Sequence, residues 1–268
     1  MYYVCKPSRI SIYINLACKT AAQIKKELGC DIIINGGLYD MRRYVPECWL
    51  KADGKLLNAW RWSAYGYGWD KDTLVMDTSA NISKYRNYIN CVELVRDGVA
   101  TPLTYDPSLG GKRGRTAIGT RANGDVVVWC AADGAYALTP EQLQTEMLSL
   151  GCKDALMLDG GASSHCIFPT GSVPPSKSRS FVYDYIAIWT GETAPQCPYK
   201  EPTGFVRWGS IGQGAKWVQW QLARHGFSCA VDGLFFGGSV STLKAFQKAH
   251  GLVSDGVCGD LTKGELQR

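Results

Sequence analysis

The stretch Ala155-Leu156-Met157-Leu158-Asp159-Gly160-Gly161-Ala162-Ser163-Ser164 runs from four apolar residues into an aspartate, a glycine pair and two serines. A short apolar run of this kind reads as a buried strand. A glycine pair lets the backbone turn sharply and come close to a ligand, so Asp159 is placed at a strand end that is open to a site. An earlier segment repeats the pattern, with Ile32-Ile33-Ile34 entering Asn35-Gly36-Gly37. A helix is expected before each strand. The first spans about Thr20 to Leu28 and stops at Gly29. The second begins at Thr139, with Pro140 at its first position, Gln142 closing a capping box and Gly151 at its end. Leu143, Met147 and Leu150 form its apolar stripe, and Leu138 and Leu143 occupy the staple positions. The plainer reading of both Gly-Gly segments is a tight turn with a polar cap.

Further strands are expected over Ile10 to Leu16, Val126 to Cys130 and Tyr185 to Trp189. The segment Ala59 to Trp69, AWRWSAYGYGW, alternates like a strand pair, and its rings, with Trp49, suit either a core or a sugar-stacking face. The sharpest break in composition is Gly191 to Gly204, GETAPQCPYKEPTG, which has three prolines and no periodicity and reads as a linker. The expected domains are residues 1–190, a linker over 191–204 and residues 205–268. The fold class expected is α+β, a mixed-sheet domain with flanking helices followed by a small all-α three-helix domain.

The 268 residues include 46% hydrophobic and 20% charged, enough to bury a core. A net charge of +5 without a clustered basic face gives no nucleic-acid footprint, although it suits an anionic surface such as a bacterial wall. No apolar stretch has the length of a membrane span. Eleven cysteines cannot all pair, and neither a CxxC nor a Cys/His cluster of zinc-like spacing occurs, so no metal or cofactor is implied. The run Ile10 to Cys18 after Lys6 and Arg9 is short, interrupted and strand-like rather than a signal peptide. The expectation is a chain made in the cytoplasm with mostly reduced thiols.

Beyond Ser210 an internal repeat places Asp232-Gly233 and Asp255-Gly256 twenty-three residues apart. Ser239 and Thr262 lie seven residues after their aspartates, where each can cap the next helix. Trp217, Val218, Gln219, Leu222, Gly226, Phe246, Gln247, Gly251 and Gly259 complete a pattern that resembles the three-helix peptidoglycan-binding module. Phe236, where that family usually has glycine, departs from it. The resemblance implies a tether to wall glycan, which raises the local concentration of the partner domain there.

In the larger domain the polar signals are Asn35-Gly36-Gly37-Leu38-Tyr39-Asp40, Arg113-Gly114-Arg115-Thr116-Ala117-Ile118-Gly119, Asp133-Gly134, Leu158 to Ser164, and Arg179. Their order and spacing resemble the phosphodiester glycosidase family, over roughly residues 10 to 190. Leu38-Tyr39, Met157 and His165 depart from the family's usual residues. The residue types suit the implied chemistry. Cleavage at the anomeric carbon of a sugar-1-phosphodiester passes through an oxocarbenium-like state that a carboxylate stabilises. The phosphate monoester that leaves, with a second pKa of about 6, needs less help from a general acid than an alcohol does, and an arginine fork holds the phosphate.

Asp159 and Asp133 are the candidate carboxylates and Arg115 the candidate clamp. Arg113, Arg179, Asn35, Gly36, Gly37, Asp40, Gly160, Gly161, Ser163, Ser164 and His165 are candidates for binding substrate, the glycine amides as an anion nest. Each has a bland rival: Asp159, Asp133 and Asn35 as turn formers, Arg113 and Arg115 as solvated loop charges, and His165 as a structural imidazole. Ser163 and Ser164 lack His and Asp partners in a triad order. The resemblances together imply a wall-directed glycosidase, a phage or prophage lysin, cleaving a glycosyl-phosphate linkage such as that joining teichoic acid to peptidoglycan. The alternatives are a peptidoglycan glycosidase acting on ordinary glycosidic bonds and a wall-binding protein without activity.

Overall fold

The computed structural model describes residues 1–59, 63–134, 136–176, 181–190, 197–225, 227 and 229–267. The chain divides into two compact units, Met1–Phe168 with Ser172–Gly191, and Pro169–Gly171 with Glu192–Arg268. Trp60 and Trp62, Arg179, Gly226 and the first half of the expected linker lie outside the described residues.

The first unit is rich in sheet. Its six-stranded sheet orders the strands Tyr2–Cys5, Val126–Ala131, Arg115–Thr120, Asp154–Met157, Val92–Arg96 and Val99–Ala100. A five-stranded sheet orders Gly171–Val173, Cys166–Phe168, Ile32–Asn35, Asp184–Trp189 and Arg9–Ile14. Another orders Lys55–Ala59, Trp49–Ala52, Asn87–Ile89, Tyr65–Trp69 and Val75–Thr78. The expected single strands thus form within about two residues of their expected limits, whereas the strand pair expected over Ala59 to Trp69 falls partly outside the described residues and its ends, Ala59 and Tyr65–Trp69, lie on strands that are not neighbours in the sheet. Tyr67 and Trp69 are buried in the core rather than displayed for stacking.

Two alternations explain why the apolar runs sit where they do. In the six-stranded sheet Ile118, Val128 and Leu156 join the larger core cluster, together with Ile34 and Ile186 of the second sheet. Their neighbours Ala117, Val127, Ala155 and Met157 join a second cluster with Leu143 and Met147. Successive side chains of a strand point to opposite faces, so this sheet is covered on one side by strands and on the other by a helix. Strands buried on both faces need unbroken apolar runs, as Ile32–Ile34 and Ala155–Leu158 supply.

Helix α1, Ala21–Leu28, starts at Thr20, whose hydroxyl and the Gln23 side chain form a capping box, and ends at Gly29 with φ 63. Helix α2, Pro140–Ser149, has the same box from Thr139 and Gln142. Eight of the eleven cysteines are buried, and none is in a disulfide.

The second unit holds α3, Gln213–Arg224, α4, Gly237–Ala249, and α5, Asp260–Leu266, with a two-residue strand pair, Ser210–Ile211 and Leu234–Phe235. Its core is Trp217, Val218, Leu222, Phe235, Leu243, Phe246 and Leu266 with their neighbours. The internal repeat becomes a duplicated clamp. Gln219 accepts from the Gly233 amide through Oε1 at 2.8 Å, and its Nε2 reaches Asp232 Oδ1 at 2.8 Å and Ser239 Oγ at 3.0 Å. Gln247 does the same for Gly256 at 2.9 Å, Asp255 at 2.9 Å and Thr262 at 3.3 Å. Ser239 and Thr262 are therefore buried partners of glutamines rather than helix caps, since neither following helix has a side-chain cap. Both glutamines are buried, so truncating one leaves a buried backbone donor without its partner and takes from the aspartate one of its two hydrogen bonds. Gln247→Leu is expected to destabilise the second unit by about 2 kcal/mol, read as an earlier thermal transition in calorimetry of the full chain. An unchanged transition would show that the clamp contributes nothing.

Candidate active site

The site is assembled at strand ends that are distant in sequence. Asn35 closes the strand Ile32–Asn35, and its buried amide is fully engaged. Nδ2 donates to the Asp159 carbonyl at 2.8 Å, while Oδ1 accepts from Thr116 Oγ1 at 2.6 Å and from the His165 N–H at 3.2 Å. The next residue extends this seam: the Asp159 N–H donates to Gly36 O at 3.1 Å, and the Gly36 N–H donates to Asp184 O at 2.8 Å. A Cβ on Gly36 would lie 1.8 Å from Asp184 Oδ2, so only glycine fits there. The Gly161 N–H donates to Gly114 O at 2.8 Å, and the Gly114 N–H donates to Asp133 Oδ1. Thus NGG, RGRT, the Asp133 turn and DGGASS are laced into one cluster, and Asn35 acts there as a crosslink.

Arg115 is 1% exposed. Its Nε donates to Leu138 O at 2.9 Å, its Nη2 to Gly111 O at 2.7 Å, and its Nη1 meets only the Met157 thioether at 3.6 Å. Among the described residues no carboxylate pairs with it within 4 Å. Burial, reinforced by the charge of Arg113, pulls the guanidinium down to about 10, so it stays charged at neutral pH. A buried cation held only by neutral acceptors is costly unless an anion completes it. A Cβ on Gly160 would lie 3.6 Å from Arg115 Nη1, which places this guanidinium against the turn after Asp159.

The Asp159 carboxyl is half-buried, with Oδ1 accepting from the Gly160 N–H at 2.8 Å. Beside it is a carboxyl that the motif reading passes over. Asp184, at the start of Asp184–Trp189, is 1% exposed. Its Oδ2 accepts from the Gly37 N–H at 3.1 Å, and among the described residues its Oδ1 has no partner. Burial, with a further push from Asp159, raises this carboxyl to about 7 against the stabilising Gly37 amide. The only sequence signal was an acidic residue opening an otherwise apolar strand, YDYIAIW, a position normally read as a strand start.

His165 is buried, and its tautomer follows from its partners. Ser163 O, 2.8 Å from Nδ1, can only accept, so Nδ1 carries the hydrogen and Nε2 accepts from Tyr185 Oη at 3.0 Å. Burial lowers it to about 4, opposed by the Ser163 carbonyl, so the ring is neutral and structural near neutral pH. Ser163 is buried, and Ser164 has a buried hydroxyl without a partner. Asp133 is exposed and caps the Gly114 turn. Asp40 caps its own turn, accepting from the Arg42 and Arg43 amides at 2.7 and 3.1 Å, and these hold its carboxyl below the usual range. Arg113 is half-buried beside the cluster: a Cβ on Gly161 would meet its Cδ at 3.9 Å. A separate cavity of about 350 Å³, lined by Tyr65, Arg96, Thr120, Arg121 and Lys153 among others, contains none of the expected site residues. It opens at the Thr120 end of the strand that carries Arg115, roughly 17 Å away.

At these glycine-turned strand ends the buried Arg115 guanidinium, without a carboxylate partner among the described residues, lies against the turn that follows Asp159. The chain belongs to the phosphodiester glycosidase family, whose sequence model matches residues 28–188. Residues 212–266 match a second model, the putative peptidoglycan binding domain, so the protein joins a glycosidase-like unit to a wall-glycan-binding one. Among solved structures the chain is similar to the zebrafish N-acetylglucosamine-1-phosphodiester alpha-N-acetylglucosaminidase catalytic domain, auto-inhibited by its pro-peptide. The identity is 18% and the TM-score 0.54, over 68% of this chain and 73% of that one. It is also similar to a hypothetical protein from Synechocystis, at 9% identity and TM-score 0.58, over 70% of this chain and 58% of that one. At these identities both speak for the fold alone. No curated protein matches the chain.

The Asp184 carboxyl makes stability depend on pH with a definite sign. Folded Asp184 keeps its proton to about pH 7, whereas an unfolded aspartate loses it near pH 3.9. The folded chain therefore holds one proton more across that window, and stability falls as pH rises from about 4 through 7. Asp184→Asn is expected to remove on the order of 4 kcal/mol of this fall, measured by urea unfolding at a series of pH values. Parallel curves for the two proteins would refute it.

Proposed function

We propose that the first unit hydrolyses a glycosyl phosphodiester of the N-acetylglucosamine-1-phosphate type in the bacterial wall, with the second unit holding it to peptidoglycan. The observation that carries this reading is the buried Arg115 guanidinium, which pairs with no carboxylate among the described residues and sits against the Asp159 turn. Arg115, with Arg113 beside it, binds the phosphate. The Asp159 carboxylate stabilises the positive charge that develops at the anomeric carbon. Departure of a phosphate monoester relieves the site of a strong general acid, which agrees with His165 being neutral and sequestered.

The glycosyl-phosphate linkage that joins teichoic acid to peptidoglycan offers both features, an anomeric phosphate and a location on wall glycan, and is the substrate we favour. The pairing of the two units is that of a phage or prophage lysin. Eleven unpaired thiols, eight of them buried, fit synthesis in a reducing cytoplasm before release at the wall.

The test is incubation with purified walls and with a synthetic N-acetylglucosamine-1-phosphodiester. Free reducing sugar and phosphate monoester are expected together. Asp159→Asn and Arg115→Gln should each reduce the rate on the order of a hundredfold, with Arg115→Lys controlling for loss of the buried charge. Release of muropeptides without monoester would favour cleavage of ordinary glycosidic bonds, and wall binding without any product would mark a non-enzymatic binder.

A further inference from the structure

Gly36 lies between two carboxyl-bearing residues. Its amide donates to the Asp184 carbonyl and its carbonyl accepts from the Asp159 amide, while the Asp184 carboxyl occupies the space a Cβ would take. Of the two carboxyls, Asp159 is half-buried and Asp184 is sealed in. Oδ2 of Asp184 already accepts from the Gly37 N–H, and among the described residues Oδ1 has no partner. A sealed carboxylate with an unpartnered oxygen beside another carboxylate is an expensive arrangement, and a carboxylic acid at the same place, which buries no charge, costs much less.

Resting on the hydrolase reading above, we infer that Asp184 is a positioning carboxyl that works in its protonated form. It holds the proton on Oδ1, so that Asp159 is the single negative charge of the pair and an anionic phosphodiester can approach. The other titratable groups whose charge bears on Asp184 are Cys48, Cys91, Tyr183 and Tyr185. Burial pushes the Cys48 thiol well up and the Cys91 thiol up to about 12, and it also raises both tyrosines. None of these four ionises near neutrality, so Asp184, at about 7, is the member of the set that gains charge there. Ionised Asp184 adds a second negative charge against a diester whose own single charge is constant over this range. The cost falls on substrate binding.

The experiment is steady-state kinetics on the N-acetylglucosamine-1-phosphodiester with the full chain. For the wild-type protein, KM should rise about tenfold between about pH 6 and about pH 8.5 while kcat changes little. Asp184→Asn, which keeps an acceptor for Gly37 and places a donor where the acid proton was, should hold the low KM across the range. The same rise in the variant would overturn the proposal. So would a folded variant slower by on the order of a hundredfold at about pH 6, since that would make Asp184 a catalytic group. Carbon NMR of aspartate-labelled wild-type protein decides the matter independently of variant folding and of turnover. One buried carboxyl titrating near pH 7 and missing in Asp184→Asn, or in Asp184→Ser if the asparagine form does not fold, supports it, and no such signal sinks it. A wild-type protein that cleaves no diester would end the hydrolase reading, while the carboxyl titration still shows whether Asp184 holds the proton.

Discussion

The first unit depends on two polypeptide strands passing within a side chain's width of each other at Gly36. There the backbone of one sheet donates to the Asp184 carbonyl and accepts from the Asp159 amide of a strand end in the other sheet. The Asp184 carboxyl lies where any larger residue would put its first carbon. Asn35 reinforces the same seam by bonding Asp159, Thr116 and His165. The site is thus a by-product of how the sheets are joined. Its carboxyls and its guanidinium are held by main chain, which fixes their positions without using up charge.

That arrangement also accounts for what was legible in the sequence. Runs such as Ile32–Ile34 and Ala155–Leu158 could be read as strands because both faces of each strand are buried. The two helices were legible because their caps are local, each closed within four residues. The glycine pairs marked the strand ends correctly, since glycine is required there by a close approach. Motif spacing also singled out Arg115, but its isolation from any carboxylate is a three-dimensional fact that no spacing encodes.

Asp184 was passed over for a related reason. In the sequence it is one polar residue before Tyr185, Ile186 and Ala187, and nothing local distinguishes a sealed carboxyl from a solvated strand start. Asn35 went the other way: its place before two glycines suggested a ligand contact, yet its amide is occupied by three crosslinks. Asp133 and Asp40 resolve as turn caps, one bonding Gly114 and the other its own following amides. In the second unit the Asp-Gly repeat is visible in the sequence, while the clamping role of Gln219 and Gln247 depends on contacts across the fold that the repeat alone does not encode.

The seam at Gly36 has a consequence for when the molecule becomes competent. Gly37 and Asp184 are 147 positions apart and Asn35 and Asp159 are 124 apart. Contacts of such long sequence separation close late, because the loop entropy must be overcome before they form. A chain still emerging from the ribosome, or one cut short before the strand Asp184–Trp189, has strands and helices but no paired carboxyls and no closed seam. The second unit makes its own clamps across 13 to 20 residues, so it can mature on a quite different schedule. The clamps of the second unit and the seam of the first are therefore completed separately, each with its own part of the chain.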